Sequence, residues 1–197
     1  MSVTGLCWMF ERDLPLVSLT FVKGVTGLEL LERMGVDAAT VAVRDQNDFH
    51  DEFGSRLSDL DAYLVSAGRW GDWAWVWEHS SWRCVQGTQL ISDASKGTAA
   101  VVLHFSEGPA EFWYAEDGQV LSGFSSEASI ELKDLVEGAP SRFDSELRKH
   151  GADPEAGYYG PLGPRRLFLR LAEELGVGLD PRDLDIAPVL SAQLTPP

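Results

Sequence analysis

Basic residues are scarce in this chain. Its 197 residues contain 31 acidic side chains against 16 basic ones, which gives a formal net charge of −15. Nucleic-acid-binding proteins neutralise phosphates with Lys and Arg, and anionic membranes attract basic segments, so this balance argues against both kinds of partner. The acidity fits either a role in solubility alone or attraction to a partner protein with a basic surface.

Long apolar runs and cysteines are scarce as well. No stretch approaches the roughly 20 apolar residues that span a bilayer, and the N-terminus lacks the basic start and apolar core of a signal peptide. Cys7 and Cys84 are the only cysteines, which indicates no disulfide framework and fits a reducing compartment. The sequence therefore predicts a cytoplasmic protein.

The motifs of the common enzyme classes are absent too. There is no Gly-rich phosphate loop, no Gly-x-Ser-x-Gly elbow, no His-Glu-x-x-His pair and no Cys-x-x-Cys. We expect no cofactor and no metal, and no catalytic residue is assigned. An enzymatic function would have to rest on scattered residues.

Apolar periodicity predicts a single α+β domain. β-branched or alternating segments predict strands at residues 16–22, 40–44, 62–68, 73–79, 98–105, 111–115 and 119–124. Helices are predicted after Thr26, over residues 48–60, 86–96 and 144–150, and from Pro164 to Gly176. We expect a mostly antiparallel sheet of about five to seven strands, with helices on one side and a C-terminal helix. The domain covers residues 1–185, and the proline-rich residues 186–197 form a loose tail.

The strongest local signal lies between the last two predicted strands, at Glu116-Asp117-Gly118. An Asp-Gly pair favours a two-residue hairpin turn because it tolerates positive φ angles. We therefore predict a tight hairpin with Gly118 at φ above zero.

Tryptophan is concentrated in one short stretch. Five of the seven lie within thirteen residues, namely Trp70, Trp73, Trp75, Trp77 and Trp82. In a strand, residues 73, 75 and 77 share one side. They form either a binding face or ligand groove, or a sheet face packed beneath a helix.

Two histidines lie in predicted strands. His79 shares the parity of the tryptophans, and His104 lies within an apolar run. If their strands were adjacent, both could approach Glu78 or Glu107 and form a metal or acid–base site. The alternative is two ordinary, partly buried side chains. Cys84 is likewise either a reactive thiol beside Arg83 or a small buried side chain.

Acidic residues are concentrated in the middle third of the chain, where residues 106–137 hold eight acids and one base. We expect such a face to attract a basic protein partner. The acids proposed for it are Glu107, Glu111, Glu116, Glu127 and Glu131.

Several short motifs carry a family resemblance. They are TFVKG at residues 20–24, MG at 34–35, GDW at 71–73 running into WE at 77–78, YAEDG at 114–118 and EELG at 173–176. In this order they resemble an uncharacterised actinobacterial family, a domain of unknown function, over roughly residues 16–184. The resemblance implies the fold and a cytoplasmic setting, and no activity. The chain departs from the family pattern after Glu78, where it has His79-Ser80-Ser81-Trp82 instead of an uncharged residue and an Asn-Gly pair.

Three functions stay open. The leading hypothesis is a non-enzymatic interaction or regulatory module, inhibitor-like or immunity-like, that binds a basic protein partner; its size and architecture resemble such domains of bacterial conflict systems. The alternatives are a small-ligand-binding domain with a Trp-lined pocket and a hydrolase that uses His79 or His104. The candidate binding residues are Trp70, Trp73, Trp75, Trp77, His79, Trp82, Glu107, Glu111 and Glu116.

Overall fold

A single antiparallel sheet forms the centre of the molecule. The computed structural model describes residues 5–12, 14–127 and 142–196. Its strands are β1 (Val17–Lys23), β2 (Ala42–Arg44), β3 (Leu64–Trp70), β4 (Trp73–Glu78), β5 (Ala99–Phe105), β6 (Ala110–Glu116), β7 (Gln119–Ser125) and β8 (Val189–Gln193). Their order across the sheet is β2-β8-β3-β4-β1-β5-β6-β7, and every neighbouring pair is antiparallel.

Helices cover both faces of this sheet. They are α1 (Gly27–Arg33), α2 (Gln46–Phe53), α3 (Gln89–Ala94), α4 (Asp144–Lys149), α5 (Gly163–Glu174) and α6 (Pro181–Asp185). Helices α1 and α3 pack on one face, here called the α1/α3 face, and α4 and α5 pack on the other, here called the α5 face. The expectation of helices on one side is therefore wrong. Successive residues of the central strands are apolar on both sides of the sheet, so both faces need a cover.

All seven predicted strands are present, and the sheet has an eighth. The extra strand, β8, lies in the segment predicted to be a loose tail, and it pairs with β2 on one side and β3 on the other. Ala192 in this strand and Leu194 just after it are fully buried. Prolines on both sides of this short strand hid it, because proline is depleted in strands. The loose-tail prediction is wrong for these residues.

Two local predictions are confirmed. Thr26 caps α1 in a capping box, in which its hydroxyl accepts from the Glu29 N–H while the Glu29 carboxylate accepts from the Thr26 N–H. The turn between β6 and β7 has Asp117 at φ 50° and Gly118 at φ 82°. Both values are positive, as the Asp-Gly signal predicts.

Helix α2 is shorter than predicted. It begins after Asp45, whose side chain accepts from the N–H groups of Asn47 and Asp48, and it gives way to a 3-10 turn at Gly54–Arg56. Phe49 and Phe53 are buried, whereas Leu60, at the end of the predicted helix, is 52% exposed.

Candidate functional site

The clustered tryptophans are mostly core residues. Trp73, Trp75 and Trp77 are 4%, 0% and 7% exposed, and they pack with residues of α5 on the α5 face. Trp70 is partly buried beside them, and Trp82 is 37% exposed at the start of a 3-10 turn. Of the two interpretations of the tryptophan cluster, a binding face or a packed sheet face, the structure agrees with the second: the rings lie beneath a helix.

Trp73 also lines a pocket at the end of the sheet that carries the β6–β7 turn, here called the turn end. This pocket has a volume of about 670 Å³, and its lining includes Lys23, Tyr114, Glu116 and Arg142. The Glu116 carboxylate lies 3.4 Å from the Arg142 guanidinium and accepts a hydrogen bond from the Tyr114 hydroxyl. Two of the predicted binding residues, Trp73 and Glu116, therefore meet in one concave site.

His79 and His104 do not form a joint site. Strand β1 lies between β4 and β5, so the two histidine-bearing segments are not adjacent. Their side chains also lie on opposite sides of the sheet: His79 bonds Ser66 on the side of Trp77, and His104 bonds Ser18 on the α1/α3 face. The condition for a two-histidine acid–base or metal site is not met.

His79 is partly buried in a small pocket of about 190 Å³, which is also lined by Ser66, Phe49 and Asp183. Its ring packs on Phe49 at 4.5 Å between centroids, and its Nε2 lies 2.8 Å from the Ser66 hydroxyl. Burial lowers the pKa of His79 to about 4, so the ring is neutral at pH 7.

Such a histidine is a weak general base for a serine. Ser66 is paired on both sides, with Trp77 of β4 and Ser191 of β8, so the sheet ladder occupies its backbone groups. The Ser66 N–H is thus not available as an oxyanion donor. No motif in the sequence points to Ser66, because only the pairing of β3 with β4 brings it to His79.

His104 belongs to a polar row that crosses the α1/α3 face. Its Nδ1 lies 3.0 Å from the Ser18 hydroxyl, and Glu111 is its cross-strand partner on β6. His104 is 4% exposed, and burial lowers its pKa to about 4. A buried, neutral histidine that is hydrogen-bonded to a serine of the neighbouring strand has a structural role.

Cys84 is a buried thiol. It is 2% exposed, and burial together with the nearby Glu78 carboxylate raises its pKa well above the ordinary value. Because the thiolate is the reactive form, this environment makes Cys84 inert. The nearby Arg83 guanidinium instead donates to the Thr195 carbonyl.

The predicted acidic face divides into two sites. Glu111 and Glu116 stand five positions apart on β6, so they point to opposite faces at opposite ends of the strand. Glu107, in the β5–β6 turn, lies at the Glu111 end, and so does Glu127. Glu131 is outside the described residues. The single face is therefore not formed, and we call the group of Glu107, Glu111 and Glu127 the acidic end.

Repulsion acts within the acidic end. Burial raises the pKa of Glu111, and the charge of Glu127 raises it further, although the Trp113 N–H donates to Glu111 at 2.9 Å. The Glu127 carboxylate also lies close to the turn, with Oε1 3.1 Å from the position that a Cβ on Gly108 would take. Among the described residues, no basic side chain lies within 4.0 Å of these three carboxylates.

Within residues 5–12, 14–127 and 142–196, no three His, Cys, Asp or Glu side chains come together in a way that could hold a metal ion. In the same part of the chain, no helix has both the length and the apolar character that crossing a membrane requires.

Comparison with known proteins places the chain in a family. A family model described as a family of unknown function matches residues 11–156, well over half of the sequence. The chain belongs to DUF6461. The expected membership of a domain of unknown function is thereby confirmed. The DUF6461 match ends before α5, α6 and β8, which complete the core here. No curated protein and no solved structure gives a significant match.

Proposed function

We propose that this protein is a non-enzymatic interaction module whose acidic end binds a basic segment of a partner protein. The observation that carries the proposal is the convergence of Glu107, Glu111 and Glu127 at one end of the sheet. The β5–β6 turn and the start of β6 supply Glu107 and Glu111, and the residues that follow β7 supply Glu127.

Electrostatics favours a cationic partner at this surface. Like charges held close together repel one another. Burial is the main cause of the raised pKa of Glu111, and the charge of Glu127 raises it further. A Lys or Arg side chain placed between the carboxylates would relieve the repulsion. Exposed charges of this kind act chiefly on the association rate, and salt screens them beyond about 8 Å at physiological ionic strength.

The histidines support a non-enzymatic function. They lie on opposite faces, and each is neutral at pH 7 because burial lowers its pKa to about 4. A cytoplasmic location and an inhibitor-like or immunity-like role belong to the same proposal. Both cysteines are free thiols, which agrees with a reducing compartment.

Kinetics with a basic probe test the proposal. A labelled oligolysine peptide is mixed with the protein at ionic strengths of about 0.01 M and about 0.15 M. Replacing Glu107, Glu111 and Glu127 by glutamine should slow association by about tenfold at low salt and much less at high salt. Glutamine keeps the shape of each side chain and removes only its charge.

A charge-matched control separates this surface from the net charge. Glu32, Asp48 and Asp51 are exposed and lie on α1 and α2, and their amide variants change the total charge by the same amount. The control triple variant should retain most of the association rate. Equal rates for the two triple variants, or association that ignores salt, would end the proposal.

A second candidate function is small-ligand binding in the pocket at the turn end. The observation in its favour is that Trp73, Tyr114 and Arg142 line a concave space of about 670 Å³, which is within the size range of ligand sites. Only one ring of the tryptophan cluster takes part.

A further inference from the structure

Two arginines line one pocket beside α1 and α3. Arg33 stands at the end of α1, and Arg83 stands in the 3-10 turn that precedes α3. The pocket between them has a volume of about 320 Å³. Neither arginine belongs to the acidic end or to the pocket at the turn end, so this site is independent of the function proposed above.

Neutral carbonyl groups hold both guanidinium groups in place. Nη1 of Arg33 donates to the carbonyls of Ala94, at 2.6 Å, and Lys96, at 3.0 Å. Nη1 of Arg83 donates to the Thr195 carbonyl at 2.9 Å. Within the described part of the chain, the Nη2 and Nε atoms of both arginines make no hydrogen bond. Each arginine is thus oriented and keeps free donors.

The backbone around Arg83 is fixed as well. The buried Glu78 carboxylate accepts from the N–H groups of Arg83 and Cys84, at 2.8 Å each, and from the Ser81 hydroxyl. Because the turn is held from inside the core, Arg83 loses little freedom when its guanidinium binds a ligand.

The positive charge of the pocket is not neutralised locally. Among the described residues, no carboxylate lies within 4.0 Å of the guanidinium group of Arg33 or of Arg83. Asp93 lines the pocket, but its carboxylate is bound by the Lys96 ammonium at 2.6 Å and by the Gln89 amide at 2.9 Å. The pocket is therefore locally basic on a chain whose net charge is −15.

We propose that this pocket binds a small ligand that carries a phosphate or carboxylate group together with an apolar part. The planar guanidinium fork matches two oxygens of either group. Met34 and Leu90 form an apolar part of the pocket wall. Gly35 and Gly87 also line the pocket and have no side chains that would narrow it. The volume is at the lower end of the range for ligand pockets, which favours a compact ligand.

Binding of three probe anions tests the proposal. Inorganic phosphate, phenyl phosphate and benzoate are titrated into the full-length protein, with affinity from calorimetry and location from amide chemical shifts. We expect phenyl phosphate to bind more tightly than inorganic phosphate, because its ring adds apolar contact. The comparison of phenyl phosphate with benzoate shows which of the two oxyanions the site prefers.

Substitutions locate the site. Arg33→Gln and Arg83→Gln should each weaken the tightest probe by about tenfold or more, because each removes a charge-assisted contact. Arg148→Gln, an equal charge change on α4, should leave the affinity unchanged. Gln86→Glu adds a carboxylate to the pocket without removing a side-chain hydrogen bond, and it should weaken binding of the anionic probes as well. This variant tests the site even if an arginine variant folds poorly.

Two results would overturn the proposal. One is the absence of any saturable shift up to about 10 mM of every probe, since weaker binding is not distinguishable from general ion association. The other is an affinity that stays the same in Arg33→Gln, Arg83→Gln and Gln86→Glu.

Discussion

At the residue scale, two glutamates act as anchors for short turns. Glu78 is 1% exposed and receives the N–H groups of the turn at Arg83–Val85. Glu173, on α5, receives the N–H groups of Leu6 and Cys7 and so ties the N-terminal 3-10 turn to the α5 face. Each carboxylate thereby satisfies backbone N–H groups at the start of a short turn, where no helix carbonyl can accept from them.

His79, Ser80 and Ser81 have structural partners. His79 bonds Ser66, Ser80 donates to the Leu57 carbonyl, and Ser81 donates to Glu78. Each side chain satisfies a polar group near the core. These three side chains therefore help to hold the segment that follows β4.

The buried His104 makes stability depend on pH. Its pKa is about 4 in the folded protein against an ordinary value of 6.5, so the unfolded chain binds the proton more readily. The free energy of unfolding should therefore be highest above pH 6.5 and fall as the pH decreases towards 4. His104→Gln should remove up to about 3 kcal/mol of that fall.

Urea unfolding at about pH 7 and about pH 4.5 measures this difference. His50→Gln serves as the control, since His50 is exposed on α2. If His104→Gln and the wild type lose the same free energy between the two pH values, the assignment of this dependence to His104 is wrong.

At the element scale, three indole rings lie against glycines. A Cβ atom would come within 2.4 Å of the Trp75 ring at Gly68, 2.5 Å of the Trp113 ring at Gly123 and 2.3 Å of the Trp70 ring at Gly178. Gly68 and Trp75 are direct cross-strand partners on β3 and β4, and so are Gly123 and Trp113 on β7 and β6. The missing side chains make room for the rings.

Gly68→Ala should therefore destabilise the protein by about 1–3 kcal/mol, because the new methyl group overlaps a fully buried ring. Thermal unfolding gives the change in stability. Trp75→Phe provides a smaller ring at the same place, so the double variant should recover part of the loss. Strictly additive effects would show that the contact between these two residues is not the cause.

At the scale of the whole molecule, the C-terminal strand joins regions that are far apart in sequence. Strand β8 fills the gap between β2 and β3, and the buried Arg44 donates to the Ser191 carbonyl and hydroxyl while it pairs with Glu52 of α2. Without β8, strand β2 has no partner, and β3 becomes an unprotected edge.

Deleting residues 189–197 should therefore unfold the chain or lower its melting temperature by more than about 10 °C, since buried Leu194 alone is worth about 2–5 kcal/mol. Deleting only residues 196–197 leaves β8 intact and should have little effect. Circular dichroism melts of the two truncated proteins make the comparison. A full-length-like melt for the longer deletion would contradict the structural role of β8.

The sequence by itself determined the elements whose signals are local. Seven strands, the capped start of α1, the Asp117-Gly118 turn and the α5 helix follow from side-chain period and turn chemistry, which act over a few residues. The excess of acidic residues and the family resemblance can also be recognised from the sequence alone.

Only the tertiary structure decided which residues meet. Trp75 became core because α5, about ninety residues later, covers its face, and the proline-flanked β8 became a strand because β2 and β3 offered it two edges. The Arg33–Arg83 pocket likewise combines segments distant in sequence. Local periodicity fixes the side of a strand on which a residue lies, whereas strand order and helix placement depend on contacts between distant segments, which no short window contains.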